Sequence, residues 1–96
     1  MTYQELVQQK RGEILDIAAK HGARNVRVFG SVARAEADER SDIDFLVEME
    51  GGRSLFDLGG MQSELEMALG RPVDVVTERG LKARIRTRVL QEAIPV

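Results

Sequence analysis

Two short features of this chain are of residue types that can do chemistry together. Gly30-Ser31 follows Val26-Arg27-Val28-Phe29, and ten residues separate Ser31 from Asp42-Ile43-Asp44. A strand that breaks at Gly-Ser into a short helix offers N–H groups and a hydroxyl to an anion, and the missing Cβ of Gly30 opens its backbone to close approach. Residues two apart on a strand share a face, about 6–7 Å between Cα atoms, so Asp42 and Asp44 project together while Ile43, Phe45 and Val47 pack the other way. Such a pair suits magnesium, which prefers one or two carboxylates plus substrate phosphates to an all-protein cage. A phosphate cradle opposite paired carboxylates is apparatus for nucleotidyl transfer, with two ions about 3.5–4 Å apart serving the attacking and leaving oxygens.

Asp74 stands among Val73, Val75 and Val76, where an unpaired carboxylate is expensive to desolvate. Either it points outward or it has a cationic partner. If its strand lies beside that of Asp44, it becomes a third carboxylate, binding metal and taking the proton of an acceptor hydroxyl. The expected catalytic and metal-binding set is thus Asp42, Asp44 and Asp74. Gly30 and Ser31 are the expected nucleotide-binding residues, with Arg34 and Ser41 as flanking candidates for phosphate contact. The Gly-Ser end of one strand meets the Asp-x-Asp start of the next only when the two run antiparallel, which is the expectation here.

The elements that must position these residues follow from periodicity and punctuation. Thr2 with Glu5 reads as a capping box opening a helix to His21, stopped by Gly22 and weakened at Gly12 by about 1 kcal/mol. Asn25–Phe29 alternates as a strand, and Ser31 is expected to cap a short helix through Ala37. Asp42–Met49 is a second strand and 50–53 a turn. Ser54 with Asp57 opens a helix whose Leu58, Met61, Leu65 and Ala68 face the core until Gly70 and Pro72 end it. Gly59-Gly60 within it imply close backbone packing. Val73–Val76 is a third strand, Leu81–Ala93 a last helix, and Ile94-Pro95-Val96 a tail. The expected class is α/β (α+β), a small mixed sheet with helices in the order α-β-α-β-α-β-α.

Ninety-six residues are expected to form one domain, 1–96, because a chain of this size buries only somewhat more than about 60% of its unfolded surface. Hydrophobic residues at 43% with 31% charged exclude a disordered chain, and no apolar run approaches the roughly 18 residues of a membrane span. The N-terminus lacks signal-peptide order, so a cytoplasmic location is expected. With no cysteine and a single histidine, His21, any metal must be held by oxygen. A net charge of −2 argues against direct nucleic-acid binding. Arg79, Lys82, Arg84, Arg86 and Arg88 nevertheless crowd near the C-terminus, as a solvated face or a partner-recognition surface.

The run from Gly30-Ser31 through Asp42-Ile43-Asp44, with Asp74 in Pro72-Val73-Asp74-Val75-Val76, resembles the DNA polymerase β-like nucleotidyltransferase superfamily. The likeness spans nearly the whole chain and looks most like the minimal nucleotidyltransferases, which implies a polymerase β palm-like core. Similar members are antitoxins paired with HEPN-domain ribonuclease toxins, which implies ATP as substrate, Mg2+ as cofactor, and AMP transfer to a tyrosine hydroxyl of a HEPN toxin held in a hetero-oligomer. The alternatives are a non-catalytic antitoxin that blocks its partner sterically and a small-molecule, aminoglycoside-type nucleotidyltransferase. Larger superfamily members carry an acceptor-binding domain; none is visible here, which favours an acceptor that brings its own surface. Ala35 departs from the pattern, since many relatives have glycine there.

Overall fold

A computed structural model describes residues 2–96. Its elements are α1 (Tyr3–Gln9), α2 (Arg11–Lys20), β1 (Ala23–Phe29), α3 (Gly30–Ala33), β2 (Ile43–Met49), α4 (Leu55–Leu69), β3 (Val73–Thr77), a 3-10 turn (Glu78–Gly80), α5 (Ala83–Glu92) and β4 (Ile94–Pro95). One mixed sheet has the order β3-β2-β1-β4. β1 runs antiparallel to β2 and to β4, and β2 runs parallel to β3. The mixed α/β class and the antiparallel β1–β2 pair are therefore as expected. No helix is long and apolar enough to cross a membrane among the described residues.

The sheet is buried on both sides. Val26, Val28, Ile43, Phe45, Val47, Val73 and Val75 pack against Val7, Ile14 and Ala18 and against Met61, Leu65 and Leu69 of α4 in the main core. On the opposite face Leu46 meets Leu81 and Val89, with Phe29, Val76, Ile85 and Ala93 at the margin. Burying both faces excludes water from the sheet's interior, so polar side chains collect at its edges. α4 is bounded as its sequence implies: Ser54 and Asp57 form a capping box, and Gly70 takes the left-handed conformation at the C-terminus.

Several details differ from the sequence reading: β1 starts at Ala23 rather than Asn25, β2 at Ile43 rather than Asp42, and the last helix at Ala83 rather than Leu81. The first helix is two, broken at Lys10 (φ −97°, ψ 12°) rather than at Gly12, which lies in the first turn of α2. Ser31 does not cap α3. The N-cap lies two residues earlier, at Phe29, and the helix runs from Gly30 to Ala33. Of the two central glycines of α4, only Gly60 is closely packed, against the His21 ring, while Gly59 faces open space. Finally, the tail is an edge strand: Ile94 and Pro95 pair with Val28 and Arg27, and Val96 N–H donates to Val26 O at 3.0 Å. Proline is tolerated there because an edge position leaves its missing N–H unneeded.

Candidate active site

Sheet topology assembles the predicted residues at one place. Phe29, the last residue of β1, is opposite Asp44 in the antiparallel ladder, so Gly30 follows immediately beside it. Asp74 is opposite Asp44 in the parallel ladder on the other side. Asp44 thus stands between the Gly-Ser turn and Asp74, and Asp42, just before the first residue of β2, is near enough for its charge to act on Asp44. Asp42 and Asp74 are exposed, and Asp44 is half-buried. The face that Asp44 and Asp74 share is that of Leu46 and Phe29, the one α5 covers further along.

Gly30 is buried, with φ +71°. A Cβ built there would collide with Asp44 Oδ2, so the glycine serves two purposes, a left-handed turn and room for a carboxylate. This differs from the expected reason for the glycine: the space in the Cβ direction is taken by Asp44. Crowding has an electrostatic consequence. Burial first, then the neighbouring charges of Asp74 and Asp42, push the Asp44 carboxyl up from 3.8 to about 6.

The remaining candidates are more committed to the protein. Arg34 is paired with Glu36 at 3.1 Å and with Glu92 at 3.1 Å. Ser41 Oγ accepts the Asp38 N–H at 2.9 Å and lies 3.3 Å from Asp38 Oδ1, closing the turn that delivers the chain to Asp42. The structure therefore places Ser41 beside the site as a turn-former. His21 caps α2, with Nε2 3.2 Å from Glu64 Oε2, on α4 and away from the carboxylates. The five basic residues divide: Arg79 follows β3, while Lys82, Arg84, Arg86 and Arg88 are exposed on and just before α5.

Glu92 was not marked by motif spacing, yet it contacts the site twice. Its Oε2 accepts the Gly30 N–H at 2.7 Å, and both its oxygens lie 3.1 Å from Arg34 Nη1. The signal available in the sequence is its place: an acidic residue ending a basic helix opposes the helix dipole.

Among the described residues no three His, Cys, Asp or Glu side chains are grouped to hold a metal ion on their own. The donor set nevertheless fits magnesium. All its donors are oxygens, two of the carboxylates are open to solvent, and the third carries an unfavourable charge that a cation would relieve.

A mixed sheet with carboxylates at one end of its strands, beside a Gly-Ser turn, is the arrangement that the resemblance to the nucleotidyltransferase superfamily implies. The family model described as "Nucleotidyltransferase domain" matches residues 11–96, and the chain belongs to that family. It is a nucleotidyltransferase. A provisionally named protein adenylyltransferase of Methanocaldococcus jannaschii is 42% identical over 90 residues, covering 94% of this chain and 97% of its own. The protein adenylyltransferase MntA of Thermococcus cleftensis is 40% identical over 81 residues, covering 84% and 82%. A solved structure described as a minimal nucleotidyltransferase superposes with a TM-score of 0.88 at 51% identity, over 100% of this chain and 97% of its own. A toxin–antitoxin complex solved with AMP-PNP shares the fold, with a TM-score of 0.74 at 20% identity over 88% and 69% of the two chains.

Proposed function

We propose that this chain is a cytoplasmic, magnesium-dependent protein adenylyltransferase that moves AMP from ATP to a tyrosine hydroxyl of a HEPN-type partner, and so acts as its antitoxin. The observation that carries the reading is Asp44, set in register between the Gly30 turn and Asp74. Relatives named protein adenylyltransferases, matched over most of their length, support a protein acceptor.

In this reading Asp42 and Asp44 hold magnesium, with Asp74 as a further ligand. When bound, the metal supplies charge neutralisation at the phosphates and activation of the attacking oxygen. The chain's own residues do the rest. Gly30-Ser31 orient the triphosphate so that the α-phosphorus faces the carboxylate edge. Asp74, exposed at that edge, takes the proton of the acceptor hydroxyl as its oxygen forms the new bond to the α-phosphorus. The bond from the α-phosphorus to the bridging oxygen breaks, and pyrophosphate leaves with that electron pair. The open approach to Asp42 and Asp74 leaves room for a tyrosine presented by a folded partner.

The test is incubation of the chain with α-labelled ATP, magnesium and a purified HEPN-domain partner. Label on a partner tyrosine, with release of pyrophosphate and its loss in Asp42→Asn, is the expected result. A tight complex that neutralises the partner without transferring label would instead establish steric inhibition.

A further inference from the structure

Glu92 ends α5, and its side chain is only 14% exposed. Its carboxylate bridges the buried N–H of Gly30 and the guanidinium of Arg34. Charge-assisted bonds of this kind are roughly twice as strong as neutral ones. Attachment of α5 to the sheet does not depend on them, because Leu81, Ile85 and Val89 already pack on Leu46 and Phe29. A fourth carboxylate next to Asp44 is also electrostatically unfavourable, since its charge adds to those of Asp74 and Asp42. Both the helix dipole and the neighbouring acids therefore oppose this charge at this position.

We propose that Glu92 is a positioning residue for nucleotidyl transfer, holding the Gly30 turn against the Asp44 carboxylate and Arg34 at the rim of the site. The geometry is restrictive at Gly30. Its Cα hydrogen faces Asp44 Oδ2 with no room for a methyl group, so movement of the turn moves the wall on which that carboxylate rests. Glu92 pins the same residue by its N–H. Through its other contact it keeps Arg34, whose backbone N–H bonds to Gly30 O at 3.1 Å, folded back onto the turn. The C-terminal helix, the catalytic turn and the flanking arginine thus move as one unit.

The inference rests on the transfer reading above, and one experiment separates them. Wild type, Glu92→Gln, Glu92→Ala, Arg34→Ala and the Glu92→Ala/Arg34→Ala double variant are assayed for AMP transfer to the HEPN partner with ATP varied. Melting temperature and the Gly30 amide resonance are recorded on the same samples. Glutamine keeps an oxygen for the Gly30 N–H and loses only the charge, so kcat should fall about tenfold, with KM for ATP changed by no more than about twofold. Alanine removes both contacts and should lower kcat about a hundredfold, as misplacement by an ångström does. It should also shift the Gly30 amide upfield, and adding Arg34→Ala should then cost less than about a further twofold. Rates within twofold of wild type for both Glu92 variants would overturn the inference. So would multiplying effects of Glu92→Ala and Arg34→Ala, or a loss accounted for by the unfolded fraction alone. If Glu92→Ala fails to fold, Glu92→Gln decides. Absence of transfer by the wild type overturns the transfer reading and this inference with it, whereas an active wild type with unaffected variants overturns only the inference.

Discussion

Replacing Asp44 by asparagine should stabilise the metal-free protein at neutral pH while abolishing its activity. The Asp44 carboxyl is raised from 3.8 to about 6 by burial and by Asp74 and Asp42. A carboxyl whose folded value lies above its unfolded one contributes stability that is fully present below about pH 4 and is lost as pH rises through about 6. At about 1.4 kcal/mol per pKa unit the full shift corresponds to roughly 3 kcal/mol, and partial solvent access reduces this to about 1–2 kcal/mol. Asparagine keeps the shape and removes the charge. In a chelating buffer at pH 8, Asp44→Asn should therefore melt about 5–10 °C above wild type, the scale expected for a domain of this size. At pH 4 the two curves should coincide. Saturating magnesium and AMP-PNP should reverse the order, because ligand at a hundred times its Kd adds about 2.7 kcal/mol to the wild type and nothing to a variant that cannot bind. Paired melts at the two pH values, with and without ligand, make the check. Equal stability of the two proteins at pH 8, or the same gain at pH 4 and pH 8, would refute the electrostatic reasoning.

Gly30→Val should lose nucleotide binding by calorimetry and about 2–3 kcal/mol of stability by denaturant titration, since it places a branched side chain against Asp44 at a positive φ. Ser31→Ala should weaken binding less. Ala35→Gly should raise stability by about 0.5–1 kcal/mol, because Ala35 has φ +58° and relief of that strain outweighs the freedom glycine gains in the unfolded chain; an unchanged or lower melting temperature would count against this. Reversing the exposed Arg84 and Arg88 of α5 to Glu should slow association with the proposed HEPN-type partner at low salt and leave ATP binding untouched. An unchanged association rate in stopped flow would return these arginines to the role of a solvated face.

The departures from sequence expectation have identifiable physical origins. In β1 the alternation that marks a strand is readable only from Asn25, because Arg24 and Asn25 are both exposed and the periodicity breaks between Ala23 and Val26. The structure shows a register shift between Arg24 and Arg27, with Asn25 at φ +50°. An extra residue there returns Ala23 to the same face as Val26 and Val28. Two polar residues between apolar ones were thus the trace of a bulge, not the edge of a strand. The break at Lys10 has no such trace, since neither Gly nor Pro stands there. Ala35 was legible as a departure from a glycine position, and its left-handed backbone shows what the glycine is for. Glu92 lies 62 residues from Gly30 along the chain, so no local pattern joins them.

The mixed topology of the sheet is itself a requirement of the site. With β1 antiparallel to β2, the C-terminal end of one strand reaches the N-terminal end of the other, which brings Gly30 beside Asp44. A parallel β1 would leave Gly30 near Met49, about 17 Å along a strand of five further residues. With β3 parallel to β2, the N-terminal ends coincide and Asp74 meets Asp44. A slip of one residue in either ladder would send a carboxylate into the apolar core formed by Ile43, Phe45 and Val47. Burial of those three residues therefore does more than hold the sheet together. It fixes the register to the single alignment in which the acidic residues share the other face, and the same face receives α5, whose terminal Glu92 closes onto the Gly30 turn. Core packing and the geometry of the candidate site are in this way two faces of one strand, and substitutions in the core face of β2 should be read for activity as well as for stability.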